Sequence, residues 1–423
     1  MKRIDNKKNN NVNLAKSIAS LWRDVNKFEQ PADAVLSKFF RDHRELKAFE
    51  RGIAAETVYT MLRNYYKITA IIPAANGLQM IAYTWQHFLT LAPEINKNIP
   101  LAEWEGVKKL PPPDLSTSEF PEWLQKRLAL HYDEIFIRDL AEAMLKPANV
   151  VLRANTLKMS RDELIAKFAE QGISVSPTVY SPYGLVLKEK QGLMNNRLFL
   201  DGCIEVQDES SQLAGMLLSP NRGEMVVDFC AGSGGKTLLF GMMMRNSGRI
   251  YAFDVNDRRL NNLSPRLARS GLSNVYPQLI NSENDTKVKR LAGKVDRVFV
   301  DAPCLGLGTL RRNPDLKFRQ DEQALIEINR KQLAILNSAA RLVKENGYLV
   351  YATCSILPEE NEDIVNGFLT SHPEFEIVPV KQVIKVDELE LSNDKYLQIY
   401  PQTHGCDGFF ACLMQRKTEK TEL

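Results

Sequence analysis

Apolar positions follow two rhythms along this chain. Over residues 30–68, Phe49, Ile53, Val58, Met61, Leu62 and Tyr65 approximate one face at the 3.6-residue period, which predicts helix. A second helical stretch, 77–91, carries Tyr83, Trp85 and Phe88. Leu110 and three prolines, followed by Asp114, Ser and Thr, predict a stiff linker, and further helices follow over 121–131 and 133–145. After Pro147 the texture changes. Residues 150–153 read as a strand, 160–171 as an amphipathic helix and 184–187 as a short strand, together a small α/β module. From about Gln207, short apolar runs at 225–229, 249–253, 274–279, 297–300, 348–353 and 375–378 alternate with helical stretches, and a last strand falls at 408–413. Alternation of that kind specifies an α/β fold with a doubly wound, largely parallel sheet. The expected domains are therefore 1–145, all helical; 146–204, small α/β; and 205–423, Rossmann-like. No internal repeat is visible.

Composition narrows the class. Hydrophobic residues make up 44% and charged residues 25% of 423, the balance of a folded protein rather than a disordered chain, a collagen-like fibre or a coiled-coil rod. No apolar run approaches the ~18 residues of a membrane span. The Lys- and Asn-rich residues 1–20 contain no apolar stretch of the kind a secretion signal needs. Cysteines at 203, 230, 304, 354, 406 and 412 show no C-x-x-C spacing, and the five histidines are dispersed. Reduced thiols in the cytoplasm are expected, with no disulfide framework and no metal site. The net charge of +3 is too small to indicate a partner by itself. Two basic runs are more informative: Lys287, Lys289, Arg290, Lys294 and Arg297, then Arg311, Arg312, Lys317 and Arg319. Each is either a solvated helix face or a set of phosphate contacts.

Asp228-Phe-Cys-Ala-Gly-Ser-Gly-Gly-Lys-Thr237 runs from a strand into a helix, the place where open α/β sheets bind nucleotides. A phosphate-binding P-loop would need glycine six residues before Lys236, and Cys230 stands there. The glycine spacing 232, 234, 235 is not the dinucleotide fingerprint either. Asp254, ending the next strand, is placed to accept bonds from ribose hydroxyls, and it can also cap the following helix. A ribose site with no phosphate cradle suggests S-adenosylmethionine. Lys236 opens a helix, where the positive end of the dipole disfavours an ammonium, and that conflict favours a functional role.

Two thiols also end strands at this edge: Cys304 in Asp301-Ala-Pro-Cys304 and Cys354 in Ala352-Thr-Cys354-Ser355. Cys203, Cys406 and Cys412 read as buried small hydrophobes, and Cys230 as packing beneath the loop. Carbon 5 of a pyrimidine is too weak a nucleophile to accept a methyl group directly. A thiolate adding to carbon 6 activates it, a carboxyl such as Asp301 meets nitrogen 3, and a second thiol can assist the later elimination.

With Val206-Gln-Asp-Glu-Ser-Ser-Gln212, Leu152-Arg-Ala-Asn155, Arg311-Arg-Asn-Pro-Asp-Leu-Lys317 and Thr353-Cys-Ser355-x-x-x-x-Glu-x-Glu362, these motifs resemble the Sun (RsmB/Fmu) family of RNA cytosine-5 methyltransferases over the last two thirds of the chain. The resemblance implies a Rossmann-like methyltransferase domain and S-adenosylmethionine at Cys230, Ala231, Gly232, Ser233, Gly234, Gly235 and Lys236. It implies the ribose on Asp254, and Asp301 near both methyl donor and base. Cys354 is then the nucleophile and Cys304 the release cysteine. Arg259 joins the cofactor set, with a structural or RNA contact as its alternative. Two positions depart from the family pattern: Ser233 replaces the usual proline, and Asn281 or Ser282 stands nearest the place of an adenine-facing aspartate, with Glu283 and Asp285 following. Residues 32–64 resemble a NusB-like helical domain, which favours ribosomal over transfer RNA, and the Leu152–Asn155 module adds an expected RNA surface. The expected protein is a monomer acting on RNA; the alternatives are a transfer RNA methyltransferase and a non-catalytic RNA-binding assembly factor.

Overall fold

The computed structural model describes residues 13–91, 93–189 and 192–418. Most of the Lys- and Asn-rich start therefore lies outside the described residues. Contacts divide the chain into two units: Met1–Lys146 with Leu310–Asp321, and Pro147–Thr309 with Glu322–Leu423.

The first unit is helical. Its opening helix, Leu14–Val25, buries Leu14, Ile18, Leu21, Trp22 and Val25, a spacing that lines one face, and Asn13 caps it by accepting from the Lys16 N–H at 3.0 Å. The sequence reading passed over this helix because its apolar face begins directly after the polar start. The helical run expected over 30–68 is three helices, Ala32–Asp42, Ala48–Arg63 and Tyr65–Thr69, with breaks at 43–47 and at Asn64. Phe49 stays 68% exposed because it lies in the first turn of its helix, beyond the edge of the core. Gly77–His87 packs Met80, Ile81, Tyr83 and Trp85 inward. Asp133 caps Glu134–Leu145 through the Phe136 N–H at 2.8 Å.

Leu310–Asp321 leaves the second unit and belongs to this one, so residues 205–423 are not a single body. The second basic run is corrected accordingly. Arg311 and Lys317 are buried: the Lys317 ammonium donates to Glu119 Oε2 at 2.9 Å, and Phe318 stacks on Phe28 with centroids 4.4 Å apart. Arg63 Nη2 donates to the Arg311 carbonyl at 3.2 Å, and Asp315 Oδ2 accepts from the Ala32 N–H at 3.2 Å. The side chains of Arg311 and Lys317 are therefore enclosed in the helical unit rather than offered to phosphates, while Arg312 and Arg319 stay partly exposed.

The second unit opens with strands β1 (Val150–Ala154), β2 (Val175–Pro177), β3 (Gly184–Leu187) and β4 (Ile204–Val206), an antiparallel sheet in the order β2-β3-β1-β4. Ser160 and Glu163 form a capping box at the start of the helix Arg161–Glu170. The large sheet contains β5 (Met225–Asp228), β6 (Arg249–Asp254), β7 (Val275–Leu279), β8 (Val295–Asp301), β9 (Val343–Thr353), β10 (Phe375–Val378), β11 (Leu397–Ile399) and β12 (Phe409–Arg416). Its order is β10-β12-β9-β8-β5-β6-β7, with β11 also on β12; β9 through β7 are parallel, and β12 runs antiparallel beside β9. Central strands buried on both faces need continuous apolar runs, and Val226, Val227, Val298, Phe299, Val300, Leu349 and Val350 supply them. From β5 the chain winds outward to β7, then crosses back to β8. That reversal opens a crevice at the carboxyl ends of β5 and β8, where ligands bind in sheets of this kind. Among the described residues no helix is long and apolar enough to cross a membrane.

Candidate active site

β5 ends at Asp228, and the chain turns through Gly232 (φ +55°) and Gly234 (φ +83°) into the helix Gly235–Met243. A side chain at Gly234 would meet Leu263 Cδ1 at 2.1 Å, so both the backbone angle and the space require glycine there. The loop is tied to β6: the Ala231 N–H donates to the Phe253 carbonyl at 2.8 Å and the Gly232 N–H to Asp254 Oδ2 at 2.7 Å. Asp254 Oδ1 accepts from the Asn256 N–H at 2.7 Å. A carboxylate offers about four lone-pair sites, so Asp254 retains acceptor capacity.

Two arginines that the sequence reading did not assign to the site hold the loop's carbonyls. Arg266 Nη1 donates to Ser233 O at 2.6 Å, and Arg153 Nη1 donates to Gly235 O at 2.7 Å. Arg266 is anchored in turn on the buried carboxylate of Glu205 at 2.9 Å. The four residues Leu152-Arg-Ala-Asn155 themselves offer no surface. Arg153 and Asn155 are buried, and the Asn155 amide donates to the carbonyls of Gly202 and Ser270 at 2.9 and 3.0 Å. The motif is a seam between the small sheet and the cofactor loop. Only an arginine within a strand-like apolar run signalled it, and a strand arginine reads equally well as surface.

The thiols face each other across the ends of β8 and β9. Asp301 pairs with Ala352 in the parallel register, and the Ala302 N–H donates to Ala352 O at 2.8 Å. The residues that follow bring Cys304 Sγ to 3.3 Å from Cys354 Sγ, with both residues partly exposed. Gly308 donates its N–H to Cys354 O at 2.9 Å, and a Cβ on Gly308 would lie 2.2 Å from Gly408 O. The hydrogen bond to Cys354, burial and the charge of Cys354 push the Cys304 thiol well up, so Cys304 keeps its proton while Cys354 is unmodified.

Lys236 reaches from the loop helix to Asp301 Oδ2 at 2.7 Å, with its ammonium 4.8 Å from the Phe409 ring centroid. Asp301 Oδ1 has no hydrogen-bond partner among the described residues. Asp228 is fully enclosed below them. Burial pushes it up to about 7 against the Thr237 hydroxyl bond of 2.6 Å. Cys230 is half-buried on the apolar core under the loop and is also pushed up by burial.

The structure thus gathers Cys230 to Lys236, Asp254 and Asp301 around one crevice. Asn281 lies at the same edge, one residue after Ile280, whose N–H donates to the Asp254 carbonyl at 3.0 Å, and Arg259 lies on the helix Asp257–Asn261 that follows β6. Both are exposed, and what they hold is local: the Arg259 N–H donates to Asn256 Oδ1 at 3.0 Å and the Asn281 N–H to Asp285 Oδ2 at 2.9 Å. In the first basic run, Arg297 is buried on β8, donating to Glu224 at 2.6 Å and to Leu218 O at 2.7 Å, while Lys287, Lys289, Arg290 and Lys294 are exposed.

Residues 215–415 match the family model described as 16S rRNA methyltransferase RsmB/F, and residues 120–193 match the model for the ferredoxin-like domain of RsmF/B-like methyltransferases. A probable ribosomal RNA small subunit methyltransferase B of Synechocystis is 28% identical, over 94% of this chain and 98% of that protein. A human 28S rRNA (cytosine(4447)-C(5))-methyltransferase is 32% identical over 70% of this chain, which covers 39% of that protein. The crystal structure of PH0851 superimposes with a TM-score of 0.79 at 27% identity, covering 96% of this chain and 98% of that one. With the crevice, the paired thiols and these relatives in hand, the chain belongs to the RsmB/F family of S-adenosylmethionine-dependent RNA cytosine-5 methyltransferases.

Proposed function

We propose that this protein methylates carbon 5 of a cytosine in small-subunit ribosomal RNA through a covalent bond between Cys354 and carbon 6. The observation that carries the chemistry is the pair of thiols 3.3 Å apart at the strand ends next to Asp301. The small-subunit substrate is supported by the extent of likeness: nearly the whole length of a small-subunit relative is matched, against 39% of the 28S relative. The six cysteines are thiols, none joined in a disulfide, which suits a cytoplasmic enzyme.

The crevice suits an adenosine-bearing sulfonium. A Cβ added at Gly232 meets nothing within 4 Å, which leaves the loop an open face, and Asp254 and Asp301 supply carboxylate acceptors for ribose hydroxyls and a counter-charge for the sulfonium. Bound there, S-adenosylmethionine supplies an electrophilic methyl group. Cys354 passes its proton to Asp301 and adds to carbon 6 as the thiolate, and the Asp301 carboxyl, steadied by Lys236, hands that proton to nitrogen 3. Cys304 handles the proton on carbon 5. Cys304 gives its own proton to water at the open edge and takes the carbon 5 proton, and the electron pair released restores the carbon 5–carbon 6 double bond and expels the Cys354 thiolate.

Purified protein, methyl-labelled S-adenosylmethionine and three unmodified RNA pools test this reading. Label should enter the small-subunit ribosomal pool as 5-methylcytosine, and Cys354→Ala should lose on the order of 10⁴-fold in rate or more. Cys304→Ala should accumulate an RNA–protein adduct. Label confined to large-subunit or transfer RNA would overturn the substrate, and full activity of Cys354→Ala would overturn the mechanism.

A further inference from the structure

Glu360 lies six residues after Cys354, on the short turn Pro358–Glu360, and is fully buried. Its Oε1 accepts from the Leu305 N–H at 2.9 Å and from Gln332 Nε2 at 3.0 Å, and its Oε2 accepts from the Ser355 hydroxyl. Leu305 directly follows Cys304, and Ser355 directly follows Cys354. Gln332, on the helix Glu322–Ala340, also donates to the carbonyl of Pro303, the residue before Cys304, at 3.0 Å. One carboxylate therefore grips the Cys304 loop on both sides of its thiol and the Cys354 loop at the adjoining residue. The backbone carbonyl of Glu360 is fixed in its turn by the Tyr351 hydroxyl at 2.7 Å.

Packing alone does not call for a carboxylate here. An apolar side chain of similar size would avoid the desolvation that pushes Glu360 up, and a buried charge is a poor source of net stability. A carboxylate can, however, accept from three donors in two directions at once; Leu305 and Ser355 sit on the two loops that carry the thiols, and Gln332 is itself tied to the Cys304 loop at Pro303.

We propose that Glu360 is a positioning residue that sets the separation of Cys304 and Cys354. It touches neither reacting atom. The proposal rests on the roles given to the two cysteines above: one sulfur attacks carbon 6 and the other serves the adjacent carbon 5 of the same ring, so their spacing governs addition and release together.

The separation can be read without RNA. Diamide takes up the two thiol hydrogens and is reduced to its hydrazine, while the two sulfurs join as a disulfide that mass spectrometry detects. The wild-type full chain should form the Cys304–Cys354 disulfide readily, and Cys304→Ser should abolish it. Glu360→Ala should slow disulfide formation by about tenfold and kcat by about 10²-fold, the scale of a misplacement near 1 Å, with KM for RNA and cofactor unchanged. Glu360→Gln keeps an acceptor for Leu305 and Gln332 and should restore most of both rates. Ser355→Ala removes the Cys354-side bond, together with the acceptor of the Leu357 N–H at 3.2 Å, and should slow disulfide formation even if Glu360→Ala does not fold. A wild-type disulfide rate in Ser355→Ala and in folded Glu360→Ala would overturn the proposal. So would a loss of kcat in Glu360→Ala accompanied by an equal loss of cofactor binding. Failure of the catalytic roles would appear separately, as activity persisting in Cys354→Ala.

Discussion

Each unit of this protein encloses a lysine against a carboxylate, and the two pairs are put to different use. In the helical unit, Lys317 and Glu119 lie 2.9 Å apart with side chains 4% and 2% exposed. Glu119 also accepts from the N–H groups of Tyr66 and Lys67 at 3.2 and 3.0 Å, and the Lys317 ammonium faces the rings of Tyr66 and Phe318. Both carboxylate oxygens are engaged. In the methyltransferase unit, Lys236 and Asp301 are 2.7 Å apart, but Asp301 is 34% exposed and keeps one oxygen unbonded. Ion-pair distance does not separate the two. The unspent acceptor and the open edge do: the first pair is closed on all sides, and the second leaves a carboxylate oxygen open to solvent.

The sharpest way to break this comparison is to remove each lysine. Lys317→Met leaves the Glu119 carboxylate buried with no cation, which should cost about 3–5 kcal/mol. All four tryptophans, Trp22, Trp85, Trp104 and Trp123, lie in the helical unit, so urea unfolding followed by tryptophan fluorescence reads that unit alone. Adding Glu119→Gln should return part of the loss, because it removes the buried charge while the neutral amide oxygen still accepts from one of the two N–H groups that Glu119 holds. Methyl transfer should fall only as far as the folded fraction does.

Lys236→Met should do the reverse. Asp301 reaches water, so its charge can be hydrated and the unfolding midpoint should move little. The carboxylate would lose its orientation in the reacting site, and kcat should drop about 10²- to 10³-fold, the scale seen when one preorganised electrostatic contact is removed. Equal losses of stability and kcat in both variants would erase the distinction.

The same two regions show what a sequence can disclose. Asp301, Cys304 and Cys354 were legible because they end apolar runs of strand length, and a parallel sheet brings such ends to one edge. The alternation that marks β5, β6, β8 and β9 is thus also what locates the chemistry. Lys317 was misread. It stands in a run of charges, and its burial depends on Glu119, 198 residues away, with no periodicity linking them. Arg153 and Arg266 escaped for a similar reason: their partners are loop carbonyls, which every residue possesses. β2, β4 and β11 span three residues each, too short to display alternation.

A carboxylate without an ammonium sharpens the comparison within one site. Asp228 is buried beneath Lys236 and Asp301, bonded only to the Thr237 hydroxyl, and burial raises it from an ordinary 3.8 to about 7. A raised carboxyl contributes stability that is complete below its unfolded value and is lost as pH rises through its folded one. The loss should therefore occur between about pH 4 and pH 7. Asp228→Asn keeps the acceptor for Thr237 and removes the titration. In calorimetry, the transition that cofactor binding shifts should be unchanged near pH 4 and should rise by on the order of a few degrees at pH 8. An unchanged pH profile would mean that Asp228 is not held neutral by its surroundings.

The smallest effect belongs to a pair that has the distance and nothing else. Lys108 and Glu105 are 2.8 Å apart, as close as the two buried pairs, but their side chains are 50% and 51% exposed. Water and salt already stabilise both charges separately, and holding two long side chains together costs rotamer entropy that offsets the attraction. Lys108→Met should leave the tryptophan-monitored urea midpoint where it was, at low and at high salt alike. A shift comparable to that of Lys317→Met would show that contact distance, not enclosure, sets the strength of these pairs. The different duties of Lys317 and Lys236 would then need a cause other than what surrounds them.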